Sequence, residues 1–254
     1  MHAYDGEVVQ VTGRLTGAVA VRDVRAACAL VPRERWDAVA LEVLEGLARS
    51  SEARPDLDRY EVAAPLLRSR VMGEGAVLLD DVVAVPLCDG LVEVLVADVL
   101  GAVTALAPTV VLGWDRPVDA LFALARDQVL ADGLLTRTEL DLDAGALVSL
   151  ESTSAFAATH VRWLASYLDV PSAGALVALP TRHLLLAAPM LRRADVLDAA
   201  QLLLVNAERL EREGPGGLSP DLFWWRPDAM VRLPGTPTSL SPPPEFLEVL
   251  DRLP

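Results

Sequence analysis

Apolar positions at Trp36, Val39, Ala40, Val43, Leu44 and Leu47 recur at i, i+3, i+4, i+7, i+8 and i+11, which predicts a helix with one buried face. Pro32 opens it, because proline at a first helical position loses no needed hydrogen bond. Upstream, EVVQVTGRL (7–15) reads as the start of a strand. The polar run RSSEARPDLD then breaks the helical pattern and marks the softest internal boundary. From Tyr60 to Leu112 the texture changes to short Val/Leu runs punctuated by Pro65, Gly73, Gly75, Pro86, Gly101 and Pro108. Cys88-Asp89-Gly90-Leu91 lies between VVAVPL and LVEVLVADVL, and Asp-Gly between apolar runs predicts a hairpin. The runs are nearly continuous in apolar character, so this meander is expected to be covered on both faces.

Helical periodicity returns after Pro117 with Val118, Leu121, Phe122, Ala125 and Val129, and Gly133 supplies the stop. TELDLDAGALVSLE reads as strand, turn and strand, and SAFAATHVRWLASYL as a helix burying Ala157, Val161, Leu164 and Leu168. VALP and HLLLAA follow as strands, with PTRH as the hairpin turn and Arg182 directed to water. ADVLDAAQLLLVNAERLERE is the longest helix, and its LLLV core predicts burial between layers. LFWWR is a short strand whose two tryptophans point to opposite faces, one to the core and Trp225 to the rim. Pro234 to Pro244 is a connector expected to be extended. Phe246, Val249, Leu250 and Leu253 then lie at i, i+3, i+4 and i+7; a helix this short must dock, on its own domain or on a partner chain.

These elements predict an α+β fold, largely antiparallel sheets packed with about four to five helices. The expected organisation is an N-terminal strand and helix segment (1–55), a main α+β domain (56–233), and a proline-rich connector with a C-terminal amphipathic helix (234–254).

The charge of −14, from 36 acids against 22 bases, repels phosphate backbones and anionic lipid, so neither nucleic acid nor a membrane surface is an expected partner. All the bases are arginine, for the chain has no lysine, no isoleucine and a single asparagine, Asn206, the usage of a GC-rich bacterial genome. The longest charge-free run, Val99 to Trp114, is too short and too broken by glycine and proline to span a bilayer. MHAYDGEVVQ has neither a basic nor an apolar leader region, and Cys28 and Cys88 are too few for a disulfide framework. A cytoplasmic setting is expected, with both cysteines as packing residues.

Candidate chemistry is sparse. His2, His160 and His183 show no H-x-x-x-H or H-E-x-x-H spacing, so no metal is expected. Glu139, Asp141 and Asp143 alternate along ELDLDAG, but the calcium-loop pattern fails, with Gly145 and Ser152 where it requires other positions or residues, and acids on an edge strand fit better. Without lysine a Walker lysine or a Schiff base is impossible, and no glycine-rich phosphate loop opens a helix. Ser152, Thr153 and Ser154 read as the cap of the following helix. No cofactor is therefore expected. Arg182 and His183 are the candidate pocket residues, as an anion-binding pair, and Trp225, Phe246 and Leu250 are the candidate partner-binding residues.

VVAVPL…VEVLVADV, DALFALARDQVL, SAFAATHVRWL, VALPTRHLLLAA and LSPDLFWW, taken in order from about Leu67 to Met230, resemble the YtpQ-like family of uncharacterised bacterial proteins. Two positions depart from the family pattern: Gln128 stands for an asparagine, and His183 for an acidic residue after the proline turn. The resemblance implies an α+β cytoplasmic protein and carries no reaction over. The expectation is a non-catalytic protein-binding module, an adaptor or an immunity-type neutraliser of a basic toxin. The alternative is an enzyme or small-molecule binder whose site gathers Arg182, His183, His160, Asp141 and Trp225, and a third reading is a homo-oligomer subunit.

Overall fold

The computed structural model describes residues 8–11, 17–20, 24, 27–28, 31–52, 55–76, 78–99, 101–142, 145–236 and 238–254, the side chains of 8–20, 44, 46–52, 141–142 and 145–146 excepted. The fold is α+β, with antiparallel sheets of four and six strands and, among the described residues, six α-helices and a ten-residue 3₁₀ segment. Two of those helices, α2 (Tyr60–Ala63) and α3 (Pro108–Leu112), are single turns. Runs so short carry no periodicity, which is why the sequence predicts fewer helices.

Strands β1 (Val8–Val11) and β2 (Gly17–Ala20) form a hairpin of their own. Helix α1 runs Trp36–Glu52, entered from a 3₁₀ turn, Arg33–Arg35, with Pro32 before it. It continues through Ser50 and Ser51, so the polar run shortens the apolar face without ending the helix at its first serine.

The four-stranded sheet is built on β5 (Leu91–Val99). β3 (Leu67–Gly73) pairs along one side of it, while β4 (Ala84–Cys88) and β6 (Ala102–Ala105) share the other. Asp89-Gly90 makes the β4–β5 turn, with Gly90 at φ +80°, where a side chain would be strained. Leu91 through Ala97 are all buried, as cover on both faces requires. Val92, Val94 and Val96 face Phe156 and Val129; Leu95 and Ala97 face Leu67 and Leu121, Phe122 and Ala125 of α4 (Val118–Ala131).

The six-stranded sheet has the order β12-β11-β9-β10-β8-β7, from β7 (Thr136–Leu142), β8 (Gly145–Glu151), β9 (Ala175–Thr181), β10 (Leu184–Pro189), β11 (Leu222–Arg226) and β12 (Ala229–Leu233). One face presents Leu176, Leu186 and Trp224 to α5 (Arg193–Glu213) and α6 (Pro244–Asp251). The other presents Val177, Leu185, Phe223 and Trp225 to the 3₁₀ segment, and to Val71 and Leu91 of the smaller sheet. That shared layer joins the two sheets. Between β12 and α6 lies a small two-stranded pairing, β13 (Gly235–Thr236) with β14 (Ser239–Leu240), where the sequence predicts a plain extended run.

Three further expectations change. SAFAATHVRWLASYL forms a 3₁₀ segment, Ala157–Ser166, bent at Trp163 (φ −113°, ψ 29°). Its Ala158, Val161 and Leu164 are buried at a spacing of three, which a helix of three residues per turn lines up. Second, Pro180 and Thr181 belong to β9, so the hairpin turn is Arg182-His183. Third, α5 is covered on one side: Leu203 and Leu204 are buried, but Val205 is 46% exposed. The LLLV run thus crosses from the core-facing side to the outer side of an amphipathic helix on the sheet surface.

Candidate functional site

Three places could carry function: the Arg182-His183 turn, the polar joint on the smaller sheet, and the N-terminal helix. At the turn, the Arg182 Nε–H donates to His183 Nε2 (3.0 Å), so that nitrogen is the acceptor. The proton then sits on Nδ1, which donates to the Ser154 carbonyl (2.9 Å). The backbone is tied down as well: Arg182 N–H donates to Gly216 O, Ala158 N–H to Arg182 O, and Ser152 N–H to His183 O. Gly216, at φ +67°, has no Cβ, and one there would lie 2.5 Å from Arg182 Nε. Arg182 therefore folds back over the glycine loop rather than running out to water. Both imidazole nitrogens are committed, leaving the turn a joint between β9, the loop after α5 and the 3₁₀ segment.

His160 lies elsewhere in the fold, with Trp163 and Tyr167 against its ring. Leu135 N–H donates to the Tyr167 oxygen (3.3 Å), and the phenol is hydrogen-bonded to His160 Nδ1 (2.6 Å). Burial holds His160 below the ordinary histidine range, against the opposing charge of Asp132, and it pushes the Tyr167 phenol up. This imidazole is a neutral core group. Trp225 is buried on the face of the six-stranded sheet opposite Trp224, whose indole donates to Ala173 O (2.8 Å). The alternation of the two tryptophans holds; the rim position expected for Trp225 does not, because the 3₁₀ segment covers that face. Asp141's side chain and Asp143 lie outside the described residues, and Glu139 is exposed on the edge strand β7.

Phe246 and Leu250 are also buried, in the chain's own core. Phe246 meets Trp224 edge to face, ring centroids 5.4 Å apart at 83°. The last residue closes the contact, Arg193 N–H donating to Pro254 O while the Arg193 guanidinium pairs with Asp251. Three side chains expected at a partner surface are thereby used inside the fold.

The polar joint was missed by sequence reasoning. Ser69, Glu93, Thr159 and His160 are buried polar residues around the 3₁₀ segment and β3–β5. The Thr159 hydroxyl accepts from Val71 N–H (3.3 Å) and donates to Ser69 O (3.0 Å), doing for the open edge of β3 what another strand would do. Glu93, with no exposed side-chain surface, accepts from Ser69 Oγ (3.1 Å), from Arg162 Nε and Nη2 (both 2.6 Å), and from the Nε and Nη2 of Arg126. Burial alone would raise this carboxyl; the hydrogen bonds and charges of Arg162 and Arg126 outweigh it and hold it below the ordinary range. The available signal was a single acid inside the apolar run LVEVLV. A carboxylate in a doubly covered strand requires a cation, and neither partner is near in sequence, Arg126 lying 33 residues away and Arg162 69.

At α1 the described part of the predicted face is only partly buried. Trp36 is 42% exposed, Val39, Ala40 and Val43 are half-buried, and β6 packs against the helix; the side chains of Leu44 and Leu47 lie outside the described residues. Arg33 lies over the Trp36 ring at 5.7 Å, and the indole N–H donates to Val31 O (3.3 Å). The acids Asp37, Glu42 and Glu45 are exposed on the same helix.

Comparison with family models, characterised proteins and solved structures returns no match. Among the described residues no cluster of histidine, cysteine and acidic side chains could hold a metal, and no helix is long and apolar enough to cross a membrane.

Proposed function

We propose that this chain is a cytoplasmic protein-binding module, an adaptor or immunity-type protein, which engages its partner through the apolar stripe of α1. The observation that carries the reading is the stripe itself: Trp36, Val39, Ala40 and Val43 follow helical spacing, yet among the described residues Trp36 is exposed and the other three are only half-buried. An amphipathic helix with a partly covered face fits an apolar groove, using side chains at i, i+3, i+4 and i+7 as anchors. The exposed acids on α1 and the net charge of −14 favour a groove with a basic rim and speed encounter with it. The YtpQ-like resemblance belongs to this proposal and rests on the order and hydrophobic texture of the sequence segments from about Leu67 to Met230.

The test immobilises the full chain, exposes it to extract of the source cell, and repeats the capture with V43D and V205D. V43D places a charge in the stripe, whereas V205D places one on the exposed side of α5. A stoichiometric partner held by the wild type and V205D but released by V43D supports the proposal. Equal capture by all three chains, or no stoichiometric partner for the wild type, overturns it. Light scattering on the same samples tells a second copy of the chain from a different protein.

A further inference from the structure

From the geometry around Glu93 we infer a binding site for a small oxyanion, a phosphate or carboxylate group, on the outer sides of Arg126 and Arg162. Each guanidinium offers five N–H donors. Arg126 and Arg162 each turn their Nε and Nη2 edge to the same carboxylate. In both, Nη1 has no hydrogen-bond partner among the described residues, yet neither Nη1 is among the enclosed, unsatisfied polar atoms, so both reach the surface. The side chains are 26% and 30% exposed over a carboxylate that is fully enclosed.

Charge and mounting both fit an anion. One carboxylate against two guanidinium groups leaves a net charge of +1 at the joint. Glu93 is saturated by Ser69 and the two arginines, so it fixes the guanidinium planes and cannot itself turn outward. The aromatic ring of Phe122, 5.4 Å from the Arg126 guanidinium carbon, supports that plane from α4. Two arginines pre-oriented by an acid give an oxyanion charge-assisted donors at little cost in side-chain entropy. The overall charge of −14 opposes anions at long range, but at physiological salt that field is screened beyond about 8 Å, while the paired guanidinium groups act at contact.

The experiment titrates the full chain with inorganic phosphate and, separately, with acetate, each against sodium chloride at matched ionic strength. It follows the guanidinium ¹⁵N resonances of Arg126 and Arg162 and the melting temperature. Saturable shifts of both arginines with phosphate, acetate or both are the expected result, and the stronger ligand identifies the chemistry. R162K keeps the charge but loses the planar fork, and should weaken binding by about tenfold or more. Linear responses indistinguishable from chloride would overturn the site, as would saturable binding that leaves the Arg126 and Arg162 resonances unmoved. If R162K does not fold, the wild-type resonances decide alone.

Discussion

Replacing Phe246 by alanine separates a tail that belongs to the fold from a tail that waits for a partner. Its ring is fully buried, packed edge to face on Trp224 and flanked by Leu250. Removing a buried phenylalanine side chain costs about 3–5 kcal/mol, combining lost transfer energy with the cavity left behind. Here the upper half of that range applies, because the Trp224 indole is held in place by its bond to Ala173 O and cannot swing into the space. A loss of about 4 kcal/mol is a large share of the stability of any ordinary domain, and at this chain length corresponds to a melting point lower by about 8–16 °C. Helix α6 spans eight residues, Pro244–Asp251, too few to persist undocked. Urea unfolding followed by tryptophan fluorescence gives the energy, and hydrogen exchange over 244–251 gives the local effect. The reasoning is refuted if F246A costs less than about 1 kcal/mol and the amides of α6 keep their wild-type protection.

Further outcomes follow from the buried polar groups. E93Q should lose about 2–4 kcal/mol, below the full cost of breaking a buried ion pair because the two arginines are part-exposed; urea titration measures it. The lowered Glu93 pKa means that its contribution is complete above the ordinary value of 4.5 and vanishes as pH falls through the folded-state value, so the gap between wild type and E93Q should close on acidification; a gap that widened would contradict the assignment. T159V should cost about 2–4 kcal/mol by orphaning Ser69 O and Val71 N–H at the β3 edge, read as the same shift in urea midpoint. Burial, reinforced by the Asp89 charge, pushes the Cys88 thiol up to about 12; in a C28S background it should react with a thiol reagent at pH 8 about a thousandfold more slowly than free cysteine.

Much of the fold was legible because its signals are local. Asp89-Gly90 announced its hairpin, the nearly continuous apolar run of β5 announced double cover, and Trp224-Trp225 could only diverge on a strand. What could not be read depends on tertiary partners. The 3₁₀ form of Ala157–Ser166 follows from anchors at Arg182 O and the β3 edge, which outweigh a helical sequence pattern. Periodicity at Trp36, Val39, Ala40 and Val43 predicts an apolar face but cannot say whether this chain supplies the cover. The Glu93 joint is legible only in half, as an acid in an apolar strand, because its two arginines arrive from α4 and from the 3₁₀ segment.

The proposed partner contact through the apolar stripe of α1 is best measured by a photo-crosslinking side chain placed at position 36 or, as control, at position 205. Both sites are exposed, Trp36 at the start of α1 and Val205 on the outer side of α5. The account predicts an abundant crosslinked species, of one defined mass, from position 36 alone. Equal yields from both positions, or a partner captured from position 205 alone, would contradict it.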